Sequence, residues 1–446
     1  MPLLPARQPL TFECVPIERI KSSPHNARQH TSKQISKLAR SIQKFGFVSP
    51  AVIDEDGTLL CGHARVEAAR RLGMRTIPAV RTCHLSESDK RAFIIADNRL
   101  AELASWDQRG LARELHFLSE LDIDYDFSAL GFDTAEIDFI LEGIDEASDR
   151  ADALPKAMDL SPVSRLGDLW LLGDHRLCCG NALESDSYLA LLGNDRAQMV
   201  FTDPPYNVRI DGHAGGSGAI KHREFPMASG EMSDDEFVGF LTGSFKQIAT
   251  FSEDGAICFA CMDWRHTEHL LKASRGLALK NICVWVKNNA GMGSLYRSQH
   301  ELIFVLKNGA ANHINNVELG KHGRSRTNVW EYRGLSSFGR DRDDQLNSHP
   351  TVKPVALVAD AIKDCSRRGD VILDPFGGSG TTLIAAEKTK RRAVLIELDP
   401  VYVDLSVRRW AAYSGGAAVC ARSGKTFVER ERVSHLLEDQ SDRDPV

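Results

Sequence analysis

Apolar residues at Ile35, Leu38, Ile42 and Phe45 recur with helical spacing across Lys33 to Phe45, and a second helix is predicted from Val66 to Leu72. Short apolar runs at Val15-Pro16-Ile17 and Ala51-Val52-Ile53 read as strands, so residues 11–105 form a compact α/β unit. From about Asp107 to Ile144 the pattern is helical and acidic. Ala147 to Pro162 then loses periodicity and collects Asp, Ala, Ser and Pro, which predicts a linker. Order resumes at Asp168-Leu169-Trp170-Leu171-Leu172-Gly173. Met199-Val200-Phe201 and Gly255 to Met262 predict buried strands, as does Ala393 to Leu398, and after Trp410 the pattern fades into a polar, charged tail. The predicted segments are 1–105, 106–165, 166–415 and 416–446.

A chain of 446 residues with 42% hydrophobic content can bury two cores. It has no run of 18 uncharged apolar residues, and the start MPLLPARQPLTF lacks the apolar core of a secretory leader, so the expectation is a cytoplasmic protein with no membrane partner. Ten cysteines without dense regular spacing predict reduced thiols. Cys258 and Cys261 followed by His266 and His269 have zinc-like spacing, but a buried strand there favours packed thiols, and no metal is expected. The net charge of −6 is unevenly distributed: residues 1–45 carry eight Lys/Arg against two acids, and residues 120–160 carry thirteen acids against two bases. The acidity belongs largely to one segment, so the total is compatible with phosphate binding elsewhere.

Two segments carry the chemistry. Asp203-Pro204-Pro205-Tyr206 comes after the Met199–Phe201 run, and a strand-end carboxylate held by rigid prolines beside an aromatic suits gripping a flat, amino-bearing ring. Asp374-Pro375-Phe376-Gly377-Gly378-Ser379-Gly380-Thr381-Thr382 is a strand, glycine turn and helix start, suited to a nucleotide-like cofactor. Its spacing is not the GxGxxG of a dinucleotide dehydrogenase.

Together these segments resemble the DNA amino-methyltransferases that carry DPPY and FxGxG, in the permuted order of the beta-class. The resemblance extends over most of residues 166–415 through Trp285-Val286-Lys287-Asn288-Asn289, Gln299-His300-Glu301-Leu302-Ile303-Phe304-Val305, His349-Pro350-Thr351-Val352-Lys353-Pro354 and Glu397. It implies a Rossmann-like α/β domain that uses S-adenosylmethionine and acts on double-stranded DNA. By resemblance the catalytic group is Asp203, Pro204, Pro205 and Tyr206. The cofactor pocket is Asp374, Phe376, Gly377, Gly378, Gly380, Thr381, Glu397, Thr351, Lys353 and Asn181. Target recognition is expected within 307–347, where Lys321, Arg324, Arg326, Arg333, Arg340 and Arg342 cluster, with Gly212 to Gly218 as a loop over the flipped base. Adenine N6 is the leading target. Cytosine N4 is the alternative, since both amines fit one mechanism, and a partition-type DNA-binding protein with an inactive methylase domain is the rival of a different class.

The segment Cys61-Gly62-His63-Ala64-Arg65 resembles the N-terminal domain of ParB-like partition proteins, a smaller α/β fold. Gly62, His63 and Arg65 would form an anion site at a helix start, with a nucleotide as candidate ligand; a solvated face formed by Arg65, Arg70 and Arg71 is the alternative. His63-Ala64 stands where the partition proteins have Glu-Arg, which argues against nucleotide hydrolysis. A homodimer is a further candidate assembly, and a bacterial or phage source fits the resemblance.

Overall fold

The computed structural model describes residues 10–104, 106–121, 127–142, 151–155, 162–208, 228, 230–287, 295–319, 326–332 and 352–433. The chain divides into two compact units, Met1–Glu146 and Ala147–Val446.

In the first unit, β1 (Thr11–Pro16), β2 (Ala51–Ile53), β3 (Leu59–Cys61) and β4 (Thr76–Arg81) form one sheet in the order β1-β4-β2-β3. Helix α1 (Ser32–Phe45) begins where the Thr31 side chain accepts the Gln34 N–H at 3.1 Å, capping an otherwise unpaired donor. Helix α2 (His63–Arg71) starts from Gly62 at φ +95°, a backbone conformation that glycine adopts without Cβ strain. Val15, Ile53, Leu59, Val66, Ala69 and Ile77 close the core between sheet and helices. Two elements escaped the sequence pattern: β3 is only three residues long, and β4 contains Pro78, which argues against a central strand. After α3 (Glu87–Glu102), the helices α4 (Gln108–Leu121) and α5 (Thr134–Glu142) pack through Leu115 and Ile137.

The second unit is built on ten strands: β5 (Leu169–Leu172), β6 (His175–Cys179), β7 (Ala197–Thr202), β8 (Ser252–Met262), β9 (Ala278–Val286), β10 (His300–Lys307), β11 (Val329–Glu331), β12 (Val371–Asp374), β13 (Arg392–Glu397) and β14 (Val419–Cys420). Their order is β11-β9-β10-β8-β7-β12-β13-β6-β5-β14. The central strands β8, β7, β12, β13 and β6 run parallel. Side chains alternate along them: Met199 and Phe201 enter one core, and Val200 enters the other. Helices α6 (Ser185–Leu192), α7 (Asp234–Phe251) and α8 (Thr267–Ala273) cover the Val200 face. Helices α9 (Val355–Cys365), α10 (Thr381–Thr389) and α11 (Pro400–Ser414) cover the other.

From β7 the chain crosses through α7 to β8 on one side, whereas from β12 it crosses through α10 to β13 on the other. The switch point therefore lies between β7 and β12, and in such sheets ligands bind outside the carboxyl ends of the strands at that place.

Two sequence expectations are corrected. Within the predicted linker, residues 151–155 dock onto the second unit: the Ala151 carbonyl accepts from Arg409 at 2.9 Å, and Asp152 accepts the Val355 N–H at 2.8 Å. The predicted polar tail is folded at least to residue 433. Its Cys420 pairs with Trp170, Phe427 is buried, and Arg430 bonds Asp168 at 2.7 Å. Periodicity missed both because each is a short piece held by contacts with residues far away in the chain. Among the described residues no helix is long and apolar enough to cross a membrane.

Candidate active site

Asp203 leaves the carboxyl end of β7 and is pinned by the turn of residues 204–207. Pro204 is buried, and the Asn207 side chain, at φ +54°, accepts the N–H groups of Gly230 and Met232 and donates to the Met232 carbonyl at 2.8 Å. This turn folds Tyr206 back so that its hydroxyl donates to Asp203 Oδ1 at 2.5 Å. The other oxygen, Oδ2, accepts from Lys353 Nζ at 2.5 Å. Lys353 also reaches Glu301 Oε2 at 3.0 Å and the Tyr206 hydroxyl at 3.3 Å, and Glu301 is paired in turn with Lys287. Burial drives the Tyr206 hydroxyl well above its usual range, reinforced by the Asp203 and Glu301 carboxylates. Burial also pushes Glu301 upward, but the ammonium groups of Lys353 and Lys287 outweigh it and hold the carboxyl at about 2.

Beside this cluster, at the ends of β12 and β13, lies the glycine turn. Asp374 accepts the Phe376 N–H at 3.1 Å and the Thr382 hydroxyl at 2.6 Å, tying the strand end to the first turn of α10. Glu397 accepts the Gly378 N–H at 2.7 Å and the Asp399 N–H at 2.9 Å, so one lone-pair direction on each of its oxygens is taken by backbone. A Cβ on Gly377 would meet Leu395 at 3.1 Å, and one on Gly380, at φ +78°, would meet Ser406 at 2.8 Å. At Gly380 the turn requires glycine, and at Gly377 a side chain would have to push Leu395 aside. The half-buried Phe376 ring leans on Phe240 at 5.8 Å. A strand-end carboxylate, the half-buried backbone at Gly378 and a half-buried aromatic fit the adenosine part of S-adenosylmethionine.

The predicted site residues separate on this geometry. Asp203, Pro204, Pro205 and Tyr206 come together at the switch point with Asp374, Phe376, Gly377, Gly378, Gly380 and Glu397 around the adjoining strand ends. Asn181 lies just beyond β6 at the same edge, where Gly180 N–H donates to the Glu397 carbonyl at 2.9 Å, but its own side chain caps the local turn at Leu183 and Glu184. Thr381 is buried and bonds Arg409 and the Lys353 carbonyl, facing inward. Lys353, expected at the cofactor, instead sits on Asp203. Thr351, Lys321, Arg324, Arg333, Arg340, Arg342 and the loop Gly212 to Gly218 lie outside the described residues.

Arg326 corrects the DNA-binding expectation. Its guanidinium pairs with Asp360 at 3.0 Å and Asp364 at 2.9 Å and stacks 5.1 Å from the Trp330 ring, so it locks β11 to α9. Glu301 and Lys287 are the members of the cluster that sequence reasoning did not single out as site residues. Cys258 and Cys261 enter opposite cores because an odd spacing in a strand reverses the side chain. His266 contacts Asp263, and His269 contacts Asp234. In the first unit, Arg65 reaches back to Cys61 Sγ at 3.7 Å, Cys61 donates to Asp97 at 2.7 Å, and the half-buried His63 ring has its pKa lowered by burial.

Three family models match the chain: a DNA methylase model of the N6/N4 type over residues 197–408, a ParB N-terminal domain over 7–98, and a helix-turn-helix domain of ParB-methyltransferases over 110–166. The chain is an N6/N4-type DNA methylase fused to a ParB-type N-terminal domain. As a DNA methyltransferase of this family it uses S-adenosylmethionine, within a Rossmann-like α/β fold. The third match falls on α4 and α5, where the sequence pattern showed only an acidic helical segment and linker. The chain is similar to the ParB-like nuclease domain-containing protein YnaK of Escherichia coli (strain K12), at 37% identity over 17% of this chain and 87% of that protein. It is similar to the DNA adenine methyltransferase YhdJ of the same organism, at 25% identity over 55% of this chain and 88% of that one. Among solved structures, the cytosine-N4-specific PvuII DNA methyltransferase aligns at a TM-score of 0.41 and 15% identity, over 64% of this chain and 95% of that one.

Proposed function

We propose that this methylase transfers a methyl group to adenine N6 at a specific site in double-stranded DNA. The observation that carries the reading is the Asp203–Tyr206 turn, set at the switch point between β7 and β12, one strand from the glycine turn and two from Glu397.

An aromatic amino nitrogen is a poor nucleophile because its lone pair is delocalised into the ring. The Asp203 carboxylate and Pro204 carbonyl accept its two hydrogens, draw the nitrogen toward tetrahedral geometry and aim its lone pair. Bound in the crevice, the cofactor supplies an electrophilic methyl group on a sulfonium. Glu397 would accept hydrogen bonds from the ribose hydroxyls, and Phe376 with Gly377, Gly378 and Gly380 would shape the adjoining wall. Asp374 and Thr381 hold that wall from behind. Once the nitrogen is alkylated it sheds one proton, and Asp203 is the nearest acceptor. A base inside a duplex must be flipped out at a cost of a few kcal/mol. Stacking on Tyr206, worth about 1–3 kcal/mol, repays part of it.

Adenine is favoured by Asp203 at the first position of the motif, where cytosine enzymes of this resemblance more often have serine, and by the naming of YhdJ as an adenine enzyme. Base recognition is assigned to the basic stretch around Lys321, Arg324, Arg333 and Arg340, and added phosphate affinity to the ParB-type unit. Single-molecule sequencing of DNA from cells expressing the chain tests base and site together. N6-methyladenine in one sequence context is expected. N4-methylcytosine would replace the target, and unmodified DNA would sink the reading.

A further inference from the structure

Both oxygens of Asp203 are occupied, and one of the occupants is a cation. The Lys353 ammonium donates to Oδ2, where the catalytic reading puts an amino hydrogen of the target base, and it lies 5.6 Å from the centroid of the Tyr206 ring on which that base would stack. The lysine cannot retreat to water, because its side chain is 4% exposed. Among the described residues, the other carboxylate in contact with it is Glu301, already 3.0 Å away. Glu301 is anchored by Lys287, whose ammonium lies 4.8 Å from the Trp285 ring.

We propose that Lys353 stands in for the target amino group in the resting enzyme and slides onto Glu301 when the base enters, freeing Asp203 Oδ2. Lys353 and Glu301 are thus positioning residues that act through Asp203. This inference rests on the catalytic reading of Asp203. The arrangement answers two needs of the reaction. Before substrate arrives, Oδ2 of Asp203 needs a hydrogen-bond donor, and the Lys353 ammonium supplies one. An incoming amine is neutral, so the cation must remain nearby during transfer while surrendering its hydrogen bond. A second acceptor beside the first meets both needs with a short movement. Among the described residues, the charged and titratable groups facing Lys353 are Asp203 and Tyr206 from the end of β7, Glu301 from β10 and Cys261 from β8, with Lys287 behind Glu301.

The test is single-turnover methyl transfer against pH, at saturating S-adenosylmethionine and DNA, for the full-length wild type, K353M, K353R and E301Q. Without its ammonium, Asp203 faces the Glu301 carboxylate alone, so K353M should move the midpoint of the acidic limb up by about one pH unit. E301Q should move it down, because the lysine is then held by Asp203 alone. K353R keeps the charge and should leave the limb in place. Cofactor affinity by calorimetry should stay within about twofold of wild type in all three. Coincident limbs for E301Q and wild type would overturn the proposal even if K353M fails to fold. So would a cofactor affinity about tenfold weaker in K353R or K353M, which would return Lys353 to the cofactor pocket. Asp203→Ala separates the two layers: transfer at the wild-type rate in that variant removes the catalytic reading itself, whereas an inactive D203A with coincident limbs removes only the exchange between carboxylates.

Discussion

At Glu397, burial pushes the carboxyl up from its ordinary range to about 7, against the Asp399 and Gly378 N–H groups that pull it down. In the cofactor-free protein it therefore binds a proton at mildly acidic pH, and ribose hydroxyls need the carboxylate form. Affinity for S-adenosylmethionine should fall as pH drops from about 8 to about 6, approaching tenfold per unit at the acid end. Glu397→Gln should bind more weakly and respond little to pH over the same range. Calorimetric titration reads both, and a flat wild-type profile would take Glu397 away from the ribose. Asp203→Ala should do the opposite, abolishing transfer while leaving cofactor binding measurable; Asp203→Asn is the finer control, since an amide keeps one acceptor but presents donors beside it. Asp203 and Tyr206 were legible because they follow a strand inside one motif, and Glu397 because it ends a strand. Glu301 was not: a glutamate in an apolar strand gives no sign of a lysine that reaches it from a distant segment. Arg326 misled for the converse reason, since its partners Asp360 and Asp364 lie one helical turn apart on α9, and a basic cluster in sequence says nothing about acids that fold onto it.

Among the elements, the turn from β12 to α10 is where sequence and structure agree in outline and differ in assignment. Asp374 reads as a cofactor residue in the motif, yet its two oxygens are spent on the Phe376 N–H and the Thr382 hydroxyl. Burial pushes this carboxyl up to about 8. A carboxyl whose folded pKa is raised is held protonated by the fold, so its contribution to stability is complete below the unfolded value of 3.8 and is lost as pH rises through about 8. Urea midpoints of the cofactor-free protein should therefore decline between about pH 5 and pH 8, and Asp374→Asn should flatten that decline. Asp374→Ala should cost about 1–3 kcal/mol by leaving a backbone donor and a buried hydroxyl unpaired. An unchanged midpoint in the alanine variant would mean that the turn is held by its glycines alone. The long apolar strands of this sheet were visible in the sequence because burial on both faces makes them continuous runs. The short pieces were not, because β3, β14 and residues 151–155 are fixed by partners rather than by their own pattern.

For the whole chain, the proposed division of labour runs along charge and chain position. Residues 1–45 carry the +6 balance, and every group assigned to chemistry lies in the second unit. Where that unit begins matters for any test, because Ala151 and Asp152 bond Arg409 and Val355 and so belong to its fold. A fragment beginning at Ala147 should fold and bind S-adenosylmethionine. One beginning near Ser161 lacks both hydrogen bonds, uncovers the core around Ala151 and should unfold at lower urea. If the ParB-type unit touches phosphates, the longer fragment should bind DNA more weakly than the full chain, and its log K should depend less steeply on log salt, by about 0.9 for each phosphate it no longer neutralises. Its methyl transfer should recover at high DNA concentration, since nothing in the Asp203 cluster or the glycine turn is removed. A fragment that is folded and binds cofactor with full affinity, yet transfers no methyl group at saturating DNA, would show that the first unit completes the active site.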